Sequence, residues 1–410
     1  MAAVKPFRAI RPGKGLAAEV AALPYDVYSR EEACRAVQGH PLSFLNIDRA
    51  ETQFGSEVDT YADCVYDKAR ELLDEEIADG TFVTEEEPCY YLYELVMNGR
   101  SQNGIVGCCS IDDYQNDVIK KHENTRADKE LDRIRHVDAC SAQTGPIFLA
   151  YRRNKALRSL IDEAKMAEPI YDFTADDGIS HRAWRISDPQ KLMRVQEIFA
   201  DMDALYIADG HHRAASAVRV GQMRREAHPD YTGDEEFNYF LSVIFSDDEL
   251  MIMDYNRVVA DLHGLTEDEF MAKISERFTV ELAEGTVHPE KKGQFGMYLA
   301  GKWYRLTAGE STYSDDAVKG LDVSVLQDYL LAPVLGILEP KTDKRIDFVG
   351  GIRGLSELER RVDGGMAAAF SMYPTSIGEL FAVADAGKLM PPKSTWCEPK
   401  LRSGLFIHRI

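Results

Sequence analysis

Residues 204–225 read ALYIADGHHRAASAVRVGQMRR, which is the pattern of a short apolar strand, an Asp209-Gly210 turn and a helix that begins at His211. A helix that follows a strand leaves its first N–H groups unbonded, with the positive end of the helix dipole behind them. Gly210 lets the backbone approach an anion closely, and the small residues 214–217 let the helix lie tightly on a sheet. This unit predicts an α/β fold with a ligand site at the carboxyl end of the strand.

Phosphate is the ligand that best suits the residues of this turn. The backbone at Gly210 and the side chains of His211, His212 and Arg213 place donors at one helix end, and Arg213 can fork onto phosphate oxygens. Asp209, at the end of the strand, can bind Mg²⁺ or act as a base. Adjacent helical side chains point about 100° apart, which disfavours a metal chelate by the two histidines. The simpler alternative is an Asp209 helix cap followed by two surface histidines.

The rest of the chain alternates helices and strands, so the predicted class is α/β, of mixed α+β character. The periodicity predicts a helix over Val58–Ala78, a β-hairpin of Tyr90–Met97 with Gly104–Ile111, and a helix from about Arg126 to Cys140. A second hairpin is predicted from Phe237–Phe245 and Glu249–Arg257. The predicted domains are an N-terminal α+β region over 1–150, a core over 151–262 and a C-terminal α+β region over 263–410.

Charge and cysteine usage exclude several classes of function. The formal net charge is 48 − 69 = −21, so most of the surface repels a nucleic-acid backbone. No apolar run is long enough to cross a bilayer. The cysteines lack C-x-x-C spacing, which favours reduced thiols in the cytoplasm. In the strand that carries the neighbouring Cys108 and Cys109, one side chain is expected to face inward and the other outward.

Three further motifs carry groups suited to a polar site. Lys121–Thr125 (KHENT) gathers a base, a carboxylate, an amide and a hydroxyl before a helix, in an arrangement that suits Mg²⁺, a hydroxyl substrate or a second phosphate group. Asp26 follows a proline-fixed turn, and Lys393-Ser394-Thr395 follows two prolines. For KHENT the alternative is a capped helix with solvated charges. The P-loop pattern G-x-x-x-x-G-K-[ST] does not occur in the sequence.

Four motifs in this order resemble a bacterial and archaeal family of unknown function, number 1015. They are Leu23–Val27 (LPYDV), Lys121–Thr125 (KHENT), Ala208–Ala217 (ADGHHRAASA) and Met390–Thr395 (MPPKST). The D-G-H-H-R turn is also similar to the nucleotide-phosphate turn of the ParB and sulfiredoxin superfamily, which includes CTPases, ATP-using sulfiredoxins and free-serine kinases. The resemblance implies a ParB/sulfiredoxin-like nucleotide-binding core with additional α+β regions, in which Gly210 to Arg213 hold the nucleotide phosphates.

The resemblance and the residues together predict a small-molecule kinase that uses Mg²⁺ and ATP or another nucleotide, with free L-serine as the leading acceptor. A turn without cysteine argues against sulfinic-acid repair, and a negative chain without a helix-turn-helix pattern argues against DNA binding. The assigned residues are Asp209, Glu123, Arg213 and His122 for catalysis; Gly210, His211, His212, Arg213, Lys121 and Lys393 for phosphate or nucleotide; Asp26, Thr125, Ser394 and Thr395 for substrate; and Asp209 and Glu123 for the metal ion.

Two alternatives to the kinase stay open at this stage. One is a ParB-like regulatory protein that holds nucleotide as a switch without turning it over. The other is a metal-dependent hydrolase that uses His122, Glu123, Asp209 and His211. The predicted partner is a small molecule rather than a nucleic acid or a membrane, and a homodimer is left open.

Overall fold

The computed structural model describes residues 2–125 and 127–410. Its helices are α1 (Ala17–Val20), α2 (Arg30–Ala36), α3 (Leu45–Asp48), α4 (Asp63–Ala78), α5 (Ile111–Gln115), α6 (Ala127–Cys140), α7 (Lys155–Ala164), α8 (Pro189–Ala200), α9 (His211–Ala227), α10 (Glu267–Ile274), α11 (Asp322–Leu326), α12 (Ser356–Asp363) and α13 (Ile377–Asp385). The start predicted for the sixth helix, Arg126, lies outside the described residues.

The strands follow the same chain order. They are β1 (Val4–Lys5), β2 (Ile10–Pro12), β3 (Phe82–Thr84), β4 (Tyr90–Met97), β5 (Arg100–Ser110), β6 (Ile119–Lys120), β7 (Ala142–Gln143), β8 (Ile147–Tyr151), β9 (Tyr171–Thr174), β10 (Ser180–Ile186), β11 (Leu205–Asp209), β12 (Tyr239–Ser246), β13 (Met251–Met253), β14 (Tyr255–Val259), β15 (Phe278–Leu282), β16 (Gln294–Leu299), β17 (Lys302–Ala308), β18 (Ile346–Gly350), β19 (Ala368–Ser371), β20 (Trp396–Glu398) and β21 (His408–Arg409). The predicted α/β class is confirmed.

The chain forms two compact units, and their limits differ from the three predicted domains. The first unit comprises Met1–Leu250 and Pro399–Ile410, and the second comprises Met251–Glu398. The predicted boundary at residue 150 falls inside β8, which pairs with both β11 and β12 in the main sheet. Sheet pairing therefore joins the predicted N-terminal region and the predicted core, because strands far apart in sequence complete one hydrogen-bonded layer.

The main sheet of the first unit has the strand order β6-β11-β8-β12-β5-β4-β10-β9, with β1 paired to β5. The predicted hairpin of β4 and β5 is confirmed, with Tyr91 opposite Val106 and Met97 opposite Arg100. Its turn, Asn98-Gly99, has positive φ at both residues (52° and 77°), as a two-residue hairpin turn of type I′ requires.

The second predicted hairpin is wrong. Strand β12 lies between β8 and β5 in the main sheet, whereas β14 pairs with β18 and β19 in the second unit. A 3₁₀ turn over Asp247–Glu249 ends β12 instead of reversing it. The carboxylate of Glu249 accepts hydrogen bonds from the backbone and side-chain amides of Asn103 on β5, which holds this turn at the end of the sheet.

Apolar packing covers both faces of strand β5, so the expectation that Cys108 or Cys109 faces outward is wrong. Their exposed fractions are 1% and 0%, and burial raises the pKa of both thiols, that of Cys109 to about 12. Such thiols stay protonated and unreactive. Helix α9 packs closely on this unit, since a Cβ at Gly221 would lie 2.5 Å from the carbonyl oxygen of Phe237.

The second unit is built on an antiparallel sheet of strand order β15-β17-β16-β19-β14-β18. Its core includes Val258, Trp303, Val349 and Leu358, the last of these on α12. Within the described ranges, no helix combines the length and hydropathy needed to cross a bilayer.

Glu76 on α4 predicts how the stability of the protein depends on pH. The residue is 8% exposed and its Oε2 atom has no hydrogen-bond partner among the described residues. Burial, with Asp79 and Glu75 nearby, raises its pKa to about 7, so the folded state disfavours ionisation and loses stability as pH rises through 7. Glu76→Gln should therefore raise the free energy of unfolding by about 2–3 kcal/mol at pH 8 and change it little at pH 4.

Urea unfolding at both pH values measures this difference. Glu71→Gln is the matched control, because Glu71 is exposed on the same helix and is not among the charges that raise the pKa of Glu76. Equal effects of the two substitutions at pH 8 would contradict the assignment.

Candidate functional site

Parallel pairing brings two of the sequence motifs to one edge of the main sheet. Strand β6 runs parallel to β11, with Leu205 opposite Ile119 and Tyr206 opposite Lys120. Because parallel strands end at the same edge, the KHENT segment after β6 lies beside the DGHHR turn after β11. A register shift after Ile207 marks a bulge in the last residues of β11 and re-aims the side chains there.

The turn between β11 and α9 depends on Gly210. Its φ is +88°, and a Cβ there would lie 3.1 Å from both Nε and Nη2 of Arg213. Gly210 itself is the helix cap, and within the described chain no side chain caps α9. The simpler interpretation, in which Asp209 is the N-cap, is therefore wrong. Asp209 Oδ1 instead accepts a hydrogen bond from the N–H of Gly210 at 2.8 Å.

Asp209 forms an ion pair with a lysine from the C-terminal segment. Lys400 Nζ lies 2.8 Å from Asp209 Oδ2, and the two side chains are 15% and 29% exposed. Burial acts to raise the pKa of Asp209, but the charges of Lys400 and Arg213 outweigh it and hold the pKa well below its usual range. The carboxylate therefore stays ionised at all physiological pH values.

His122 and His211 meet behind the turn. Their ring centroids are 4.5 Å apart with the planes at 89°, and the residues are 1% and 7% exposed. Burial lowers the pKa of His122 to about 4, and burial together with His122 lowers the pKa of His211 well below its usual value. Both imidazoles are therefore neutral at pH 7, and His211 is not the surface residue of the simpler interpretation.

Several nitrogen atoms in this cluster lack hydrogen bonds. In the described part of the chain, both ring nitrogens of His122, Nε2 of His211 and Nε of Arg213 are buried without a partner of good geometry, although the backbone of Ile207 lies close enough to act on the pKa of His122. Leaving a buried polar group unpaired costs about 1–3 kcal/mol, so a concentration of such groups calls for an explanation. The other end of the Arg213 guanidinium is fixed, because Nη1 donates to the carbonyl oxygen of Pro146 at 2.6 Å.

Arg213 also lines the first of two neighbouring cavities. A small one, of about 30 Å³, lies between Arg213, Tyr25, Arg133 and Ser403. A second one, of about 120 Å³, shares Tyr25 and Arg133 with it and is also lined by Asp26. Asp26 is exposed on the 3₁₀ turn Tyr25–Val27, so Tyr25 is the residue that connects the LPYDV motif to the arginine of the DGHHR motif.

Sequence reasoning missed the charged residues that line these cavities. Arg133 is 7% exposed and stacks over the Tyr25 ring at 4.0 Å, and it binds Asp132 at 2.9 Å. Asp48 accepts the hydroxyl of Thr144 at 2.8 Å. A signal was available, because positions 132, 133, 136, 137 and 140 form one buried face of α6 on which polar residues outnumber apolar ones.

The other predicted residues of the first unit lie around this cluster without all pointing into it. Glu123 is half-buried. The hydroxyl of Thr125 donates to Glu130 at 2.7 Å, so it contacts the first turns of α6. The ammonium group of Lys121 lies 4.6 Å from the centre of the Tyr114 ring.

Lys393, Ser394 and Thr395 belong to the second unit. Ser394 is 6% exposed and donates to the carbonyl oxygen of Pro391 at 2.6 Å, while its own carbonyl accepts the hydroxyl of Thr375 at 2.9 Å. Lys393 has a φ of +59°, and its ammonium lies 5.7 Å from the Tyr255 ring centre. These contacts order the MPPKST segment, and the ligand-binding roles assigned to it stay predictions.

Comparison with known proteins identifies the family. The sequence matches the family described as "Protein of unknown function (DUF1015)" over residues 4–324. The chain belongs to this family. No curated protein matches the sequence significantly.

Among solved structures, a mutant free serine kinase in complex with AMP is similar to this chain, with a TM-score of 0.37 and 14% sequence identity. The match covers 74% of this chain and 92% of the kinase chain. SbnI from Staphylococcus aureus, truncated at its C-terminus, is similar with a TM-score of 0.38 and 11% sequence identity. That match covers 74% of this chain and 86% of the SbnI chain. A conserved hypothetical protein from Pyrococcus furiosus is similar with a TM-score of 0.34 and 14% sequence identity, and the match covers 74% of this chain and 94% of that protein's chain.

The requirement for glycine at position 210 can be measured by substitution. Gly178 is a matched control, because its φ is +78° but its Cβ would meet nothing within 4 Å. Gly178→Ala should cost about 1–2 kcal/mol of stability from the left-handed backbone alone. Gly210→Ala should cost measurably more in denaturant unfolding, because its Cβ also displaces Arg213. Equal losses for the two variants would mean that Arg213 moves aside freely.

Proposed function

We propose that this protein is a nucleotide-dependent phosphotransferase that phosphorylates a small hydroxyl compound, with free L-serine as the leading acceptor and ATP with Mg²⁺ as the donor. The observation that carries the proposal is the set of unpaired buried nitrogen atoms at the Gly210 turn, contributed by His122, His211 and Arg213. Phosphoryl transfer requires positioning and charge neutralisation more than covalent chemistry; all three side chains would position the phosphate, and Arg213 would neutralise its charge.

The start of α9 supports the phosphate-binding part of the proposal. The helix has 17 residues, begins at a left-handed glycine and carries no acidic residue in its first turn. Its dipole therefore favours an anion at this end. Arg213 keeps Nε for a ligand while Nη1 is anchored to Pro146, so the guanidinium is already oriented before a phosphate binds.

The electrostatics divide the two carboxylates between the proposed roles. Asp209 is a weak base, because the charges of Lys400 and Arg213 hold its pKa well below its usual range. Glu123 is half-buried beside the turn and is the better general base for the acceptor hydroxyl. His122 and His211 are neutral, so they would donate or accept single hydrogen bonds rather than neutralise charge.

The donor set fits a nucleotide-bound Mg²⁺ rather than an all-protein metal site. Mg²⁺ at a nucleotide uses one or two carboxylates together with phosphate oxygens and water, and Asp209 would be that carboxylate, which leaves Glu123 as the base. Bound there, the ion would offset negative charge on the phosphates. In residues 2–125 and 127–410, no three His, Cys, Asp or Glu side chains are placed to hold one metal ion.

The cavity beside Asp26 supports an amino acid as the acceptor. At about 120 Å³ it is large enough for a molecule of this size, and it lies next to the cavity that Arg213 lines. Asp26 would bind the ammonium group of serine, and the guanidinium of Arg133 would attract its carboxylate. Free serine is also the acceptor that the sequence resemblance places first.

A phosphorylation screen tests the function. The purified chain, Mg²⁺ and each nucleoside triphosphate or ADP are incubated with hydroxylated amino acids and small alcohols, and the products are read by mass spectrometry. Arg213→Ala should lower the rate of serine phosphorylation by about 100-fold or more, because one preorganised donor is worth that much in the transition state. Arg219→Ala is the matched control, since Arg219 lies on the same helix with its side chain 47% exposed.

Two results would count against this assignment. A normal rate in a folded Arg213→Ala variant would remove the proposed site. Tight nucleotide binding without turnover of any acceptor would favour the regulatory alternative, in which the same turn holds nucleotide as a switch.

Asp26→Asn tests the acceptor site separately. The substitution removes the charge proposed to bind the ammonium group, so the KM for serine should rise about two- to fivefold while nucleotide affinity stays unchanged. Glycerate, which has the same hydroxyl and carboxylate but no ammonium group, provides the control within each variant. An equal loss with serine and glycerate would show that Asp26 does not recognise the ammonium group.

A further inference from the structure

The second unit contains a cavity that the proposed phosphotransfer does not use. Its volume is about 770 Å³, within the range of small-molecule sites, and its walls include α11, α13 and the segment that follows β17. We propose that this cavity binds an organic cation, a primary ammonium ion on an apolar or aromatic body, through the carboxylate of Asp322.

The charges around the cavity are predominantly negative. Glu310, Asp315, Asp316, Asp322 and Glu379 line it, and Lys292 is the one basic residue in that lining. Lys292 is already engaged, because its Nζ lies 2.5 Å from Glu379. Two of the other carboxylates also have partners, since Asp316 pairs with Lys388 at 2.5 Å and Asp315 accepts the hydroxyl of Tyr313 at 2.5 Å.

Asp322 differs from Glu379 and Asp316 because it is buried and, among the described residues, forms no ion pair. The residue is 7% exposed, and both of its oxygens share a single donor, the N–H of Gly293, at 3.0 Å. A carboxylate has about four acceptor positions, so most of its capacity is unused. Burial raises the pKa of Asp322 to about 6, because it outweighs the opposite effects of the Gly293 N–H and of the Lys292 charge.

The rest of the lining suits the body of such a ligand. Val325, Ala308, Ala317 and Ala382 contribute apolar surface. Tyr313 is 77% exposed at the wall of the cavity, where its ring is accessible to a ligand and offers a face for a cation or an aromatic group. A buried carboxylate, apolar walls and an exposed aromatic ring together describe a site for an amine rather than for an anion or a neutral sugar.

The test measures binding of simple amines to the full chain by titration calorimetry at pH 7.5. Phenethylammonium and hexylammonium are compared with 2-phenylethanol and 1-hexanol, which match them in shape but carry no charge. The ammonium ions should bind at least tenfold more tightly than the alcohols, and Asp322→Asn should remove that preference. Asp328→Asn is the control, because Asp328 is an exposed aspartate that follows α11 and does not line the cavity.

A second variant keeps the test informative if Asp322→Asn does not fold. Ala382→Trp fills the cavity from the exposed wall of α13 without changing any charge, and it should abolish binding of the amines. Ala386→Trp, after the last turn of the same helix and outside the lining, should leave binding unchanged. Equal affinity for amines and alcohols, or amine binding that survives both Asp322→Asn and Ala382→Trp, would overturn the proposal.

Discussion

The pairing of two short parallel strands is the constraint on which the candidate site depends. Strand β6 contributes two residues to the edge of the main sheet, yet those residues fix the direction in which the KHENT segment leaves it. Parallel alignment with β11 then brings His122 against His211, two residues that are far apart in sequence. Without that alignment, the buried imidazoles would not meet and the DGHHR turn would be an ordinary helix start.

The site combines groups whose charges are fixed with groups that are kept neutral. Asp209 is held ionised by Lys400 and Arg213, while burial keeps His122 and His211 uncharged. A low-dielectric environment strengthens the interactions of all these groups and penalises any that stay unpaired. The cluster therefore lowers the stability of the folded protein, as unfavourable local arrangements commonly do at ligand-binding sites.

Local pattern was enough to predict much of this structure. The hairpin of β4 and β5, the strand-turn-helix unit of β11 and α9 and the family itself are confirmed, because each depends on neighbouring residues: alternation, an Asn98-Gly99 turn, or a glycine before a helix. The hairpin expected around Ser246 failed because the partners of β12 and β14 are distant strands that no local pattern specifies. The charged face of α6 was missed for a related reason. Arg133 lines the cavity because it stacks on Tyr25, and these two residues are far apart in sequence and meet only in the folded chain.

The discontinuity of the first unit has a consequence for how the protein is made. Residues Pro399–Ile410 complete that unit, and they supply both Lys400 for Asp209 and strand β21 for β7. During synthesis, the ribosome must deliver the whole second unit before these residues emerge. Until then, Asp209 in the first unit lacks Lys400 as its partner, and the edge of β7 that pairs with β21 is open. The order of translation thus makes closure of the candidate site follow the synthesis of the second unit.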